Sequence, residues 1–404
     1  MTEHDSGTVR LALVGCGGIS GAHVNGYKDL YVHGCREFVV TACCDVREEN
    51  ALKRSKEIAE IQGIAPAVFT SQAAMEKAGV ADAADICLPH CFHHSSAISL
   101  LDAGLHVMVE KPIGITVKAS RAIIAAAERN RRTLATAENI RRYVTARSCA
   151  WAINQRGLIG DMRLVNIQSI SFSPFDYDNP AMKWRGIKLL TGGGMIMDSG
   201  AHFADMVEVL FGDVDEVSCT MSAYDNRLIK DAPILGDQQA DVEDTWHAVI
   251  RFKSGLHVLW THSRSLYGQG MSTASYYGSK GTMNALGFAF HPFQNGGTAV
   301  LDDGTAVTNE QIQSEYLASL TEPQQATLFP YGSTDGFAIE VWDFIDALRN
   351  NRKPEMDGVD GLRAKTLCEC CYESAVAGRT VKFDEVFDGR LSEYQRPIDE
   401  YWHI

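Results

Sequence analysis

The residues with the clearest chemical meaning come first in the chain. Gly15-Cys16-Gly17-Gly18-Ile19-Ser20 follows the apolar run Val9–Val14 and precedes a helical stretch that reaches Leu30. A glycine turn between a strand and a helix brings backbone close to a pyrophosphate, and the helix N-terminus holds its charge. The usual third small position of such a turn is Ser20 here, rather than glycine or alanine. A second buried run, residues 38–44, ends directly at Asp45. An acid at that place accepts from the ribose 2'-hydroxyl of NAD and repels the 2'-phosphate of NADP. NAD is the expected cofactor, although Arg47 stands near enough in sequence to help a phosphate. A glycine turn alone is also a common structural turn, so the strand–turn–helix context and Asp45 carry the reading.

Those residues need a parallel sheet to hold them. Short apolar runs alternate with helical stretches up to about residue 137, the pattern of a parallel sheet covered on both faces. Beyond it the pattern changes. Residues 163–173, 214–223, 243–252, 255–265 and 272–278 alternate apolar with polar, as strands of a larger open sheet do. One helix is expected from about Asp198 to Leu210, stopped by Gly212, and later helices over 335–349 and 361–377. Segments 224–241 and 290–330 show little regular pattern and read as loops. The fold class is thus α/β: an N-terminal Rossmann parallel sheet over 1–137, then an α+β domain over 138–404 with a large open, mostly antiparallel sheet.

With these elements in place, the chain resembles the Gfo/Idh/MocA family, the glucose–fructose oxidoreductase and inositol dehydrogenase group. The resemblance rests on GCGGIS with His23, on Pro89 with His93, on Ala103-Gly104 and on Glu110-Lys111-Pro112. It continues through Gly192-Gly193-Gly194, Asp198, Gly200, His202 and Asp205, and so covers nearly the whole chain. It implies a Rossmann domain followed by an open-faced sheet domain, with substrate between them against the nicotinamide. It also implies a reactive group made of Lys111, Asp198 and His202. The cofactor side would comprise Gly15, Cys16, Gly17, Gly18, Ile19, Asp45, Arg47, Pro89, His93, Glu110 and Lys111. Asparagine is usual in the family where this chain has His90, a departure on the nicotinamide side. The Lys111–Pro112 peptide bond is expected to be unusual, cis being the form open to proline.

The chemistry suits these residue types. Oxidising a secondary alcohol needs a base for the hydroxyl proton, while the cofactor does the electron chemistry. His202, with an ordinary pKa near 6.5, is the natural base. Asp198 stands four residues earlier, on the same face if both lie on one helix, and could orient His202 or bind a second hydroxyl. Lys111, past a strand's carboxyl end, can hydrogen-bond the reacting oxygen and stabilise alkoxide character. Whether Lys111 or His202 takes the proton directly is left open. Arg142 and Tyr143, in the segment after the last Rossmann strand, and Trp184 and Arg185, before the glycine triplet, are candidate substrate contacts. For Arg142 and Tyr143 a structural role fits equally well. His262 and Arg264 are weaker pocket candidates. The cluster His90-Cys91, His93-His94 lacks partners at metal-ligand spacing, and no metal is expected.

Composition narrows the function classes. A net charge of −14 over 404 residues gives no basic footprint for nucleic acid. No apolar run of 18 residues exists, so no transmembrane span is expected. The 11 cysteines, an odd number with several adjacent, and the start MTEHDSGTVR read as a reducing, cytoplasmic setting with cysteines as small buried hydrophobes. The expected activity is NAD(P)-dependent hydride transfer at a secondary hydroxyl or ketone of a sugar, polyol or glycoside. Three alternatives stay open: a glycoside 3-dehydrogenase with retained NAD that supplies a 3-keto glycoside to a partner lyase, an NAD-recycling elimination enzyme, and a non-catalytic NAD(P)-binding sensor. The resemblance implies a homo-oligomer, dimer or tetramer.

Overall fold

The six N-terminal strands are short and rich in Val and Ala, so they can be buried on both faces. In the computed structural model, which describes residues 7–404, they are β1 (Val9–Val14), β2 (Phe38–Cys44), β3 (Ala67–Phe69), β4 (Ala83–Ile86), β5 (His106–Glu110) and β6 (Leu134–Ala137). All pair in parallel, in the order β3-β2-β1-β4-β5-β6. Helices α1 (Ser20–Val32), α2 (Glu48–Gln62), α3 (Gln72–Ala78), α4 (His90–Asp102) and α5 (Val117–Asn130) lie between them in sequence. Strand order reverses between β1 and β4, and the loops after those strands are where open α/β sheets bind ligands.

Contacts divide the molecule into two units. The first comprises the chain up to Gly114, Ala119–Arg142 and Glu322–Gly361; the second comprises Ile115–Lys118, Tyr143–Thr321 and Leu362–Ile404. The first unit therefore recruits a late piece of chain. One face of its sheet buries Leu11, Leu13, Tyr27, Phe38 and Ile58 together with Val341, Phe344 and Ile345 of the Gly336–Asn350 helix. That helix lies so close to α1 that a Cβ on Gly26 would sit 2.9 Å from the Ala338 nitrogen. The other face packs Val14, Ile86, Leu100, Leu101, Val109 and Ile123.

The second unit is built on a nine-stranded sheet. At its centre Met162–Ile170 pairs in parallel with His257–Ser263 and antiparallel with Met271–Gly278. Thr245–Phe252 and Val214–Ser222 extend one side, and Gly281–Ala285 and Gly297–Leu301 the other. The sheet is mixed, with antiparallel pairings in the majority, as the alternating runs predict.

Two segments read as loops are more ordered than that. Residues 224–241 contain the hairpin Leu228–Ala232 and Gly236–Gln239. Residues 290–330 contain a strand, Gly297–Leu301, and helices Asn309–Ser319 and Glu322–Leu328. Asn309–Ser319 buries only Ile312 and Tyr316, too few for a legible apolar stripe. Its start is nonetheless written in the sequence: Thr308 and Gln311 form a capping box. Among the described residues no helix is long and apolar enough to cross a membrane.

Candidate active site

The glycine turn is closed by side chains from three directions. Gly15 has φ +88°, and a Cβ there would lie 2.5 Å from the Cys87 carbonyl oxygen. At Gly17 and Gly18 a Cβ would meet nothing within 4 Å, so this stretch of backbone faces open space. That is the cradle a dinucleotide's phosphates require. Ser20 is buried and is more than a small filler. Its hydroxyl donates to the Gly17 carbonyl at 2.7 Å and accepts from Arg54 Nε at 2.9 Å. Arg54 Nη2 donates to the same carbonyl at 2.9 Å. Arg54 sits on α2 and had no sequence signal, since a lysine- and arginine-bearing amphipathic helix is ordinarily a solvated face.

Asp45 does structural work in the turn. Its Oδ2 accepts the Cys16 N–H at 2.8 Å and its Oδ1 the Arg47 N–H at 2.8 Å. A carboxylate has about four lone-pair sites, so capacity for a ribose hydroxyl remains. Ile19 is exposed beside the turn, and Arg47 is exposed as the N-cap of α2. Pro89 caps α4. His93 is buried, with Nδ1 2.9 Å from the Pro112 carbonyl and Nε2 2.8 Å from that of Leu88. It braces the turns after β4 and β5 against each other, and burial pushes its pKa down. Lys111, half-buried, follows the last residue of β5, and the Lys111–Pro112 peptide bond is cis. Burial pushes the nearby Glu138 carboxyl up, an effect the Lys111 charge opposes.

Arg142, a candidate for either a substrate contact or a structural role, is buried. It is 1% exposed, donates to the Glu138 carbonyl at 3.1 Å, and pairs with Asp343 at 3.2 Å and Glu355 at 3.3 Å. The guanidinium is thus paired to the Gly336–Asn350 helix and to the segment that follows it. Tyr143 is half-exposed and caps the helix Val144–Asn154.

In the second unit the glycine triplet ends in the short helix Met195–Asp198, followed by Gly200–Phe211. Asp198 and His202 thus belong to two helical segments joined at Ser199, not to one continuous helix. Ser199 keeps α-helical angles, so the chain path is nearly the expected one. The turn is fixed by Glu243, which is buried and accepts from the Gly194 N–H at 2.7 Å and the Ile196 N–H at 2.9 Å. Burial pushes its carboxyl up to about 7. Lys365, also buried, donates to the Ile115 carbonyl at 2.8 Å and to Met197 Sδ at 2.9 Å, and pairs with Glu369 at 2.6 Å. Neither Glu243 nor Lys365 is near Asp198 in sequence, so only the fold reveals them.

Asp198 pairs with Arg185, whose guanidinium also lies 4.7 Å over the ring of Trp184. His202, 8% exposed, meets His291 edge to face at 4.7 Å, and His291 Nδ1 lies 2.9 Å from Gln294 Oε1. His291 lies in a segment that read as irregular, which hid it. His262 is buried against Trp246 and Phe290, and burial pushes its pKa down to about 4, with Arg264 adding to the effect. Arg264 donates to the Ser173 carbonyl and stacks 3.6 Å over Phe175. All 11 cysteines are buried, and none is joined in a disulfide. Among the described residues, the side chains of metal-ligand type that lie close together are His23, Asp85 and Cys87, within 4.8 Å, rather than the histidines at 90–94.

A doubly wound parallel sheet with this turn at its first strand defines a dinucleotide-binding α/β protein. Residues 9–138 match the model "Oxidoreductase family, NAD-binding Rossmann fold", and residues 153–383 match "Oxidoreductase family, C-terminal alpha/beta domain". The chain belongs to the Gfo/Idh/MocA oxidoreductase family, and its first domain is an NAD-binding Rossmann fold.

Among curated relatives, D-apiose dehydrogenase of Paraburkholderia graminis is 25% identical over 374 residues, 92% of this chain and 88% of that protein. Inositol 2-dehydrogenase of Rhizobium meliloti is 25% identical over 381 residues, 93% of this chain and 99% of that protein. Among solved structures, levoglucosan dehydrogenase in complex with NADH and levoglucosan has a TM-score of 0.73 at 21% identity, covering 93% of this chain and 99% of that one. The WlbA dehydrogenase from Bordetella pertussis, in complex with NADH and UDP-GlcNAcA, has a TM-score of 0.70 at 22% identity, covering 94% and 99%. These two structures share the fold.

Proposed function

We propose that the chain is an NAD-preferring dehydrogenase acting at a secondary hydroxyl of a sugar, polyol or glycoside. The observation that carries the reading is the ordered match of both family domains along a chain that keeps Lys111 at the end of β5 and Asp198 and His202 around the Ser199 junction. The relatives support the substrate class, being dehydrogenases of D-apiose, levoglucosan, inositol and D-glucoside.

NAD, when bound, accepts the hydride of the alcohol carbon or returns it to a ketone. The residues do the rest. The amides of the glycine turn hold the phosphates, and Asp45 keeps that turn closed while offering a lone pair to the adenosine ribose. His202 takes the hydroxyl proton. Lys111 donates a hydrogen bond to the same oxygen as charge develops on it. Asp198, held by Arg185, binds a neighbouring hydroxyl and orients the substrate. Trp184 offers an apolar face to the C–H side of a ring. The D-glucoside 3-dehydrogenase of Escherichia coli, 24% identical over 283 residues, favours a second reading in which a glycoside is oxidised at its 3-hydroxyl.

The test is absorbance at 340 nm with NAD or NADP against inositols, free sugars and glucosides. Growth with NAD and one class supports the reading and names the class. A flat trace with every substrate, together with no reduction of cofactor carried by the purified protein, overturns it.

A further inference from the structure

His23 belongs to the motif that follows the glycine turn, yet nothing in the proposed reaction uses it. It is fully buried on α1. Its Nδ1 lies 2.8 Å from Asp85 Oδ2 on β4, and its Nε2 lies 3.0 Å from Glu110 Oε1 on β5. Glu340, on the Gly336–Asn350 helix, brings Oε1 to 3.8 Å from the same Nε2. Tyr27, one turn along α1, donates its hydroxyl to Asp85 Oδ2 at 2.5 Å. Cys87 lies 3.8 Å from Asp85 Oδ1, and the Phe337 ring covers the imidazole at 5.6 Å.

Hydrogen-bond arithmetic sets the charge. A neutral imidazole has one N–H, so it would turn a lone pair towards one of its two carboxylates. An imidazolium donates to both. Burial pushes the imidazole's pKa down, but Asp85 leads the groups that push it back, and the result is well above the ordinary value. The Glu340 carboxyl is pushed well up by burial, with the Glu110 and Asp85 charges adding to the effect and His23 and Arg142 opposing it. Donation from both ring nitrogens makes the imidazole a cation held between Asp85 and Glu110, with the Glu340 carboxyl beside it. Four elements converge in this cluster: the helix that follows the cofactor turn, the strand before the α4 loop, the strand whose next residue is Lys111, and the Gly336–Asn350 helix.

We propose that His23 is a positioning residue for Lys111: clamped as an imidazolium by Asp85 and Glu110, it fixes the end of β5 and so the placement of the lysine relative to the cofactor helix. The inference rests on the dehydrogenase reading for its catalytic consequence, and on the cluster alone for the clamp. A metal ion held by His23, Asp85 and Cys87 is the competing use of these atoms. It would have to displace at least one of the imidazole's two hydrogen bonds.

The test uses the full chain. In the wild type, 15N NMR of labelled histidine, with the His23 signals assigned by their loss in His23→Gln, should show both ring nitrogens in the imidazolium range from pH 6 to 9. A neutral ring in that range overturns the clamp, as does one equivalent of metal that His23→Gln loses. Lys111, tagged by 13C-dimethylation and assigned with Lys111→Arg, should shift its signal in His23→Gln and in Glu110→Gln. His23→Gln should bind NADH within about threefold of wild type and keep KM, while kcat falls by 10-fold or more in both variants. Wild-type kcat with an unmoved Lys111 signal overturns the proposal. If wild-type protein transfers no hydride to any substrate, the dehydrogenase reading falls, and the two NMR measurements still decide the clamp.

Discussion

Alanine at Gly15 and alanine at Gly17 should have opposite consequences, although the two positions are two residues apart. At Gly15 the backbone has φ +88°, and the new Cβ would lie 2.5 Å from the Cys87 oxygen and 2.7 Å from its carbonyl carbon. A left-handed conformation costs a non-glycine residue about 1–2 kcal/mol. Forcing a methyl group against backbone that has no rotamer to yield costs roughly 1–3 kcal/mol more. Gly15→Ala should therefore lose about 2–5 kcal/mol of stability. Gly17 has no positive φ, and a Cβ there meets nothing within 4 Å, so Gly17→Ala should fold as the wild type does. The methyl group instead enters the space from which the phosphates approach the turn. NADH affinity should fall at least tenfold, or about 1.4 kcal/mol. Urea unfolding gives the first quantity and fluorescence titration with NADH the second. Wild-type NADH affinity in a folded Gly17→Ala protein would refute the assignment of this turn to the cofactor.

Further outcomes follow from the same geometry. Glu243 ionises near 4.5 when unfolded and near about 7 when folded. The unfolded state thus releases a proton first, and stability falls as pH rises through that window and is flat above it. Glu243→Gln should remove that part of the slope, roughly 3 kcal/mol, in denaturant melts at pH 4.5 and 8. Arg185→Met leaves Asp198 without its guanidinium and should lower kcat/KM by 10-fold or more with an unchanged melting temperature; a wild-type value would detach Asp198 from the reaction. His202→Asn should reduce kcat by about 10²–10⁴ and abolish the acidic limb of the pH–rate profile, the limb that a general base defines. Asp45→Asn keeps an amide acceptor for the turn but removes the charge facing a 2'-phosphate, so the NAD-over-NADP preference should narrow at least tenfold.

Much of this molecule was legible in the sequence because the relevant physics is local. Short buried runs, the glycine turn and Asp45 at the end of β2 specify the parallel sheet and its cofactor end. Glu110-Lys111-Pro112 falls at a strand end, as expected. What stayed hidden depends on residues distant in sequence. Glu243 and Lys365 hold the segment that carries Asp198, and Arg54 and Ser20 clasp the Gly17 carbonyl. For Arg142 the sequence left a substrate contact and a structural role equally open; Asp343 and Glu355, some 200 residues later, enclose it (their separations from Arg142 Nη1 are 3.2 and 3.3 Å). The late return of the Gly336–Asn350 helix to the first unit has the same character. Its apolar face is readable, but the sheet face it completes is not. The helix Asn309–Ser319 was missed for a different reason: two buried residues make no stripe, and its capping box was the signal to use.

Deuterium tracing tests the central claim most directly. Wild-type protein and NAD would be incubated with inositols, free sugars and glucosides carrying carbon-bound deuterium, and the nicotinamide analysed by mass spectrometry. Transfer of one deuterium to the cofactor from one substrate class, lost in His202→Asn, is the predicted result, and it registers retained as well as exchanging NAD. Cofactor that is bound but stays unlabelled with every class would contradict the account.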